Sequence, residues 1–368
     1  MRPLLSIVLL LVLISLGSAP AAETQPPADK VGMMTRAFVT TGPYDWRGDA
    51  NHALATVIWY PAGPGAREQR QSFGPPGRPL LDGGFVATGA ALAPAPARFP
   101  LIVLSHGTGG AGIALAWLGT ALAADGYIVA AVNHPGNNAI DGYTVQGFTL
   151  WWLRARDLSA VIDGMLADPT FGPRIDRNRI GAAGHSLGGY TVIAIAGGIS
   201  SIAQLRDFCA AHPADPMCAP PPEFRDLVTR AGALTKSDPA YRAATSEGGR
   251  SYRDPRVRAV FAMAPALGPA FLPGSLPHVD IPVAIVTGAA DEIVPVQSGA
   301  QLLAAAIPHA ELTILPGSAG HYVFTDECTE TGRATYPAIC IDAPGVDRAA
   351  IHRRTARLAE TFFDRSLR

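Results

Sequence analysis

The run Gly184-His185-Ser186-Leu187-Gly188-Gly189 constrains this chain more than any other stretch. It falls between RIGAAG, an apolar strand pattern, and YTVIAIA, an apolar helix pattern. A serine in a G-x-S-x-G turn between a strand and a helix takes a strained conformation, with its Oγ lifted above the sheet. The glycines let the helix approach the strand more closely than a side chain allows. The helix turns its N-terminus toward negative charge that develops near Ser186. This short run therefore demands a strand, a sharp turn, a helix and a sheet to carry them.

The rest of the chain supplies that sheet. Apolar runs at 99–105 (FPLIVLS), 127–132 (YIVAAV), 179–183, 257–264, 281–287 and 311–315 read as buried strands. Helical patterns occupy 111–124, 152–168, 187–196, 299–306 and 347–363. Near-continuous apolar strands alternating with helices predict a mostly parallel sheet covered on both faces, an α/β architecture. Two further strands are expected at 36–41 and 53–60, before a Gly-, Pro- and Ala-rich stretch, 61–100, that reads as a long loop. The interval 198–256 is polar and Pro-rich, and reads as an insertion over the sheet's carboxyl edge. Ligands of open α/β sheets bind at that edge, so a lid or pocket wall is the expected role. A surface excursion away from substrate is the alternative.

Composition excludes several classes. With 48% hydrophobic and 16% charged residues, the chain builds a large core and does not resemble a disordered one. A net charge of −1 without a basic block argues against nucleic-acid binding, where phosphate neutralisation dominates.

Arg2 precedes an apolar run of 13 residues, Leu4–Leu16, followed by Gly17, Ser18, Ala19, Pro20, Ala21 and Ala22. This is the pattern of a secretory signal peptide over residues 1–22. The run falls short of the roughly 20 residues a membrane-spanning helix needs. Residues 23–368 then form the mature chain, expected as a single exported domain, periplasmic or secreted, without a transmembrane segment. Four cysteines, Cys209, Cys218, Cys328 and Cys340, fit an oxidising compartment. Four cysteines allow three pairings. The expected ones are the sequence-local pairs, Cys209 with Cys218 and Cys328 with Cys340. No C-x-x-C spacing suggests a zinc site.

A serine hydroxyl is a weak nucleophile until a base takes its proton. In a strand–elbow–helix fold the partners follow in the order Ser, acid, His. His321 lies in GSAGH directly after the last strand pattern and is the expected base. Asp291 follows the strand IPVAIVTG and is the expected acid, with Glu292 as near competitor and Asp326 as a distant one. The oxyanion hole needs backbone N–H donors. Leu187, after the nucleophile, offers one. The loop His106-Gly107-Thr108-Gly109-Gly110 offers the other, from Thr108, with Gly107 as the alternative. His106 and His134 end earlier strands and read as shaping the site. Trp151 and Trp152 read equally well as acyl-pocket lining or as core.

SHGTGG, DGYIVAAVNHPGNN, GHSLGG, TGAADEIVP and GSAGHYVF together resemble the α/β-hydrolase superfamily. More narrowly, DGYIVAAVNHPGNN and DAPGVDR resemble the exported predicted dienelactone hydrolase group, related to platelet-activating-factor acetylhydrolases. The resemblance spans roughly residues 50 to 365 and implies the α/β-hydrolase fold, with an insertion after the nucleophile helix. It carries the nucleophile to Ser186, the base to His321 and the second oxyanion donor to Thr108. Dienelactone hydrolases use a Cys nucleophile, where this chain has Ser186. The acetylhydrolases place their acid after the sixth strand, where this chain reads Ala262-Met263-Ala264-Pro265-Ala266. The implied activity is serine-dependent hydrolysis of a small carboxylic ester through an acyl-enzyme, with no metal or organic cofactor. An amidase or peptidase, a lipid acetylhydrolase-like phospholipase, and a non-catalytic binding protein are the rival readings.

Overall fold

The computed structural model describes residues 30–40 and 53–367, so the expected signal segment, 1–22, lies outside the described residues. Strands β1 (Val31–Val39) and β2 (Ala53–Pro61) pair antiparallel, and β3 (Gln69–Phe73) pairs antiparallel with β4 (Leu81–Thr88). Then come β5 (Phe99–Ser105) and β6 (Ile128–Val132), and a small separate ladder of β7 (Asn137–Asn138) and β8 (Gly142–Tyr143). The strands β9 (Ile175–His185), β10 (Val257–Met263), β11 (Val283–Gly288) and β12 (Glu311–Leu315) complete the set. The main sheet has the order β12-β11-β10-β9-β5-β6-β2-β1-β4-β3. It is parallel from β12 to β6.

Alternation along these strands explains their continuous hydrophobicity. Leu101 and Val103 of β5 pack into the core on one face, while Ile102 and Leu104 pack into the core on the other. Ile128, Ala130 and Val132 of β6 alternate with Val129 and Ala131 in the same way. A strand buried on both faces cannot alternate apolar with polar. Helix α1 (Ala116–Ala124) covers one face, and α2 (Val145–Thr149) leads into α3 (Leu153–Ala167) and α4 (Leu187–Ile195) on the other. The interval 198–256 carries α5 (Ile202–Ala211), α6 (Leu227–Ser237) and α7 (Pro239–Ser246). After α8 (Leu302–Ala306) come α9 (Glu330–Thr335), α10 (Pro337–Cys340) and α11 (Arg348–Ser366), which joins α1 on its face.

One reading changes. The stretch 61–100 is not a continuous loop: it contains β3 and β4, the edge of the sheet. Their residues, QRQSF and LDGGFVAT, carry no strict apolar alternation: β3 is the edge strand, and β4, between β3 and β1, buries only Gly83, Val86 and Ala87. The interval 198–256 contains helices despite its prolines. Pro239 sits at the start of α7, where a missing N–H costs nothing.

β5 and β9 are adjacent, yet the chain leaves β5 toward β6 on the far side. That reversal opens a crevice at the carboxyl ends of the strands. Ser186 directly follows β9 at this end of the sheet, beside the loop that follows β5.

Candidate active site

Ser186 has φ 56° and ψ −118°, a backbone region that residues other than glycine rarely occupy. Its neighbours hold it there. Its N–H donates to the Met263 carbonyl at 2.9 Å, and its carbonyl accepts from Tyr190 at 3.1 Å and Ala266 at 3.0 Å. The flanking glycines are obligatory. A Cβ at Gly184 would stand 2.3 Å from the Gly188 oxygen, and one at Gly188 would stand 1.8 Å from the Ser105 oxygen.

His321 begins a short 3₁₀ turn, His321–Phe324, just past β12. Its Nε2 lies 2.9 Å from Ser186 Oγ and its Nδ1 lies 2.7 Å from Asp291 Oδ2. All three side chains are buried. The other carboxylate oxygen of Asp291 accepts the Ile293 and Val294 N–H groups at 3.0 and 2.8 Å. A carboxylate so anchored accepts a hydrogen bond from Nδ1–H, which keeps the proton on Nδ1 and leaves Nε2 to accept from the serine hydroxyl.

The competitors are elsewhere. Glu292 is exposed. Asp326 is buried beneath α1, where its carboxylate accepts the Ala116 and Trp117 N–H groups at 3.1 and 2.8 Å. Burial pushes its carboxyl up to about 8. After β10 the chain turns through Ala264, with φ 42°, and presents no carboxylate there. His185 reaches away from Ser186 to the His321 carbonyl at 3.1 Å. Burial, reinforced by His321, holds it well below its ordinary pKa.

Leu187 opens α4, whose first N–H groups have no intrahelical acceptor. Thr108 lies in the loop after β5, and a Cβ at Gly107 would come within 3.2 Å of Ser186 Cβ. The Gly109 N–H is engaged elsewhere, by Asn137 Oδ1 at 2.8 Å. Trp151 and Trp152 both belong to the core cluster, and Trp151 Nε1 donates to Ser200 Oγ at 3.4 Å. Disulfides join Cys209 to Cys218 and Cys328 to Cys340.

A buried polar network under the loop after β5 escapes a motif search. His134 Nε2 lies 2.9 Å from Ser105 Oγ, and its Nδ1 lies 2.8 Å from Asp157 Oδ2. Arg154 donates to Ser105 Oγ at 3.3 Å, to Thr191 Oγ1 at 3.2 Å and to the His106 carbonyl. The available signal was periodicity. Arg154 and Asp157 share a helix stripe with Leu158, Val161, Ile162 and Met165, all buried.

Overhead, the insertion closes toward the same loop. Phe224 packs edge-on against Phe148 at 5.3 Å, and Phe148 against Tyr143 at 5.2 Å. Tyr143 Oη donates to the Gly109 carbonyl at 3.0 Å. Glu223 Cγ stands 3.6 Å from where a Gly109 Cβ would be.

The fold has counterparts among known proteins. Residues 102–334 match the Alpha/beta hydrolase family. Over 118 residues the chain is 35% identical to two proteins of Thermobifida alba, Cutinase est1 and Cutinase est2. That stretch covers 31% of this chain and 34% of each cutinase, so the chain spans about a third of the length of these curated relatives. The solved ferulic acid esterase from Streptomyces cinnamoneus superposes with a TM-score of 0.57 at 22% identity, covering 95% of this chain and 92% of that one. At that identity the superposition speaks for the fold alone. The family match covers more than half of the 368 residues and includes Ser186, Asp291 and His321. The chain belongs to the α/β-hydrolase family.

Proposed function

We propose that the protein is an exported serine hydrolase that cleaves carboxylic esters through Ser186, His321 and Asp291. One observation carries the reading: a continuous hydrogen-bond path from Asp291 through both ring nitrogens of His321 to the hydroxyl of a strained elbow serine. Ser186 Oγ attacks the ester carbonyl while His321 Nε2 takes its proton. The imidazolium that forms is stabilised by Asp291 and returns the proton to the leaving alcohol. The N–H groups of Leu187 and Thr108 hold the oxyanion of the tetrahedral intermediate. Water, activated by the same imidazole, then releases the acyl group. The residues themselves supply nucleophile, base and electrostatic stabilisation, so the step calls for no metal or organic cofactor.

The name of the sequence relatives, cutinase, favours esters over amides. The two disulfides and the amino-terminal apolar run favour export. The narrower kinship, with the exported predicted dienelactone hydrolase group, rests on DGYIVAAVNHPGNN and DAPGVDR. Residues 23–368 act as one domain in this reading, and 198–256 walls the substrate pocket through Glu223 and Phe224.

Labelling with a fluorophosphonate, followed by peptide mapping, tests the site. Modification of Ser186 is expected; modification at another serine, or none, overturns the reading. A panel of p-nitrophenyl esters of increasing acyl length, with matched anilides, then ranks esters against amides.

A further inference from the structure

Arg154 is out of place in its helix. It is almost wholly buried, on a stripe of α3 where the neighbours one or two turns further along are Leu158, Val161 and Ile162, with Asp157, engaged by His134, as the one carboxylate. Burying a guanidinium costs several kcal/mol of desolvation, and a well-packed hydrophobic residue at such a site is often more stabilising. Its hydrogen bonds run to the two elements that frame the nucleophile. Arg154 donates to the His106 carbonyl, at the start of the loop carrying Thr108. Its Nε donates to Thr191 Oγ1, which in turn donates to the Leu187 carbonyl at 2.8 Å.

Peptide geometry gives these contacts a consequence. In a trans peptide the N–H points opposite to the C=O. The His106 carbonyl is held from below by Arg154. The next carbonyl, Gly107, accepts from His106 Nδ1 at 2.7 Å and from the Gly110 N–H at 3.3 Å. The His134 N–H donates to His106 Nε2 at 3.0 Å, so the His106 proton must sit on Nδ1. With both carbonyls tied down, the N–H groups of Gly107 and Thr108 are turned the other way. A charged donor on a carbonyl also polarises the N–H of the same peptide.

We infer that Arg154 is a positioning residue for the oxyanion hole: it orients and polarises the Gly107 N–H, fixes the start of the loop that presents Thr108, and ties that loop to the first turn of the nucleophile helix. The inference rests on the ester-hydrolase reading above. Burial weakens the hold of Arg154 on its proton to about 9, with Asp157 opposing the shift, so the group stays charged at neutral pH.

The test uses the full mature chain and two variants, Arg154→Met and Arg154→Lys. Folding is checked by circular dichroism and cooperative melting. The readouts are kcat, KM and the inhibition constant of an alkyl boronic acid, which forms a tetrahedral anion on serine. For folded Arg154→Met we expect kcat and boronate affinity to fall together by about 10²-fold, with KM unchanged, the size of losing one oxyanion donor. Arg154→Lys keeps the charge but not the fork, and should lose about tenfold in both. A merely structural role would lower the melting temperature without this parallel loss. A wild-type enzyme unlabelled by fluorophosphonate at Ser186 overturns the reading of the site, and this inference with it. A labelled wild type, beside Arg154→Met within about threefold in kcat and boronate affinity, overturns this inference alone. If Arg154→Met does not fold, Arg154→Lys is judged by the same threefold criterion.

Discussion

Ser186 occupies a backbone conformation that costs on the order of 1–3 kcal/mol, and such strain persists only where the surroundings impose it. Here they do, through hydrogen bonds from the Ser186 backbone to Met263, Tyr190 and Ala266. Replacing Ser186 by Ala removes the Oγ and leaves those backbone contacts in place. Ester turnover should fall by about 10⁴–10⁶-fold with the melting temperature nearly unchanged. A folded Ser186→Ala protein with more than about a tenth of wild-type turnover would disprove the assignment. Asp291 differs from Glu292 in the same concrete way. Asp291 holds His321 Nδ1 and two backbone N–H groups, while Glu292 is exposed. Asp291→Asn presents an amide donor to Nδ1 and favours the wrong tautomer, so a loss of about 10⁴-fold is expected in kcat. Glu292→Gln should leave turnover within roughly twofold, as for other exposed substitutions. The reverse ranking in steady-state kinetics would transfer the acid's role to Glu292.

At the scale of elements, the base loop is braced from three directions. His352 of α11 places its Nε2 2.9 Å from the Val323 carbonyl and 3.0 Å from the Thr325 carbonyl. Asp326 caps α1 from 209 and 210 residues away along the chain. Cys328 pairs with Leu81 at the sheet's edge and is tied to Cys340, which precedes α11. Displacing a base by about 1 Å costs roughly 10²-fold in rate. The Cys328→Ser, Cys340→Ser double variant should therefore lose activity at temperatures where the sheet's circular dichroism is still native. Coincident loss of both signals would place the disulfide's role in global stability instead. The insertion makes a separate prediction. Phe224 anchors α6 and its neighbours onto Phe148 of α2. Phe224→Ala should raise KM for long-chain esters more than for acetate, with kcat on acetate within roughly threefold. Unaltered chain-length preference would detach 198–256 from the substrate pocket.

Across the whole molecule, buried and half-buried titratable groups bend the pH dependence of stability in two directions. His106, His134 and His185 are held well below their usual pKa, mainly by burial. A depressed imidazole leaves the folded state neutral while the unfolded chain takes up protons. Their contribution is present above about 6.5, the ordinary histidine value, and is lost as pH falls. Glu360 and Asp125, at the seam of α11 and α1, are pushed the other way, to about 7 and about 6, mainly by burial. A raised carboxyl contributes stability below its ordinary range that is lost as pH rises through the folded value. Glu360→Gln should therefore raise the melting temperature at pH 8 and change it little at pH 4. A gain of equal size at both pH values would show that its charge is not the cause.

The elbow and the alternation of strands and helices were legible in the sequence because each is a local or periodic signal. Asp291 and His321 are picked out by chain order and by their places after strand patterns, and their meeting with Ser186, 135 residues from His321, belongs to the tertiary structure. G-x-S-x-G is a steric statement about a few residues, and continuous apolar strands report two covered faces whatever covers them. The same holds for the sequence-local cysteine pairs, whose short spacing keeps the partners near each other in any compact fold. What only the tertiary structure decided are meetings between distant polar groups. Arg154 lies 48 residues from the His106 carbonyl it holds, and Asp326 lies 210 residues from the first helix N–H it caps. The strands β3, at the sheet's edge, and β4, beside it, are of the same kind, since their order comes from their pairing partners more than from a periodic buried face of their own. Periodicity tells which side of an element is buried. It does not tell which polar group across the crevice will satisfy a buried donor, because that is set by the strand order and by where the chain reverses between β5 and β9.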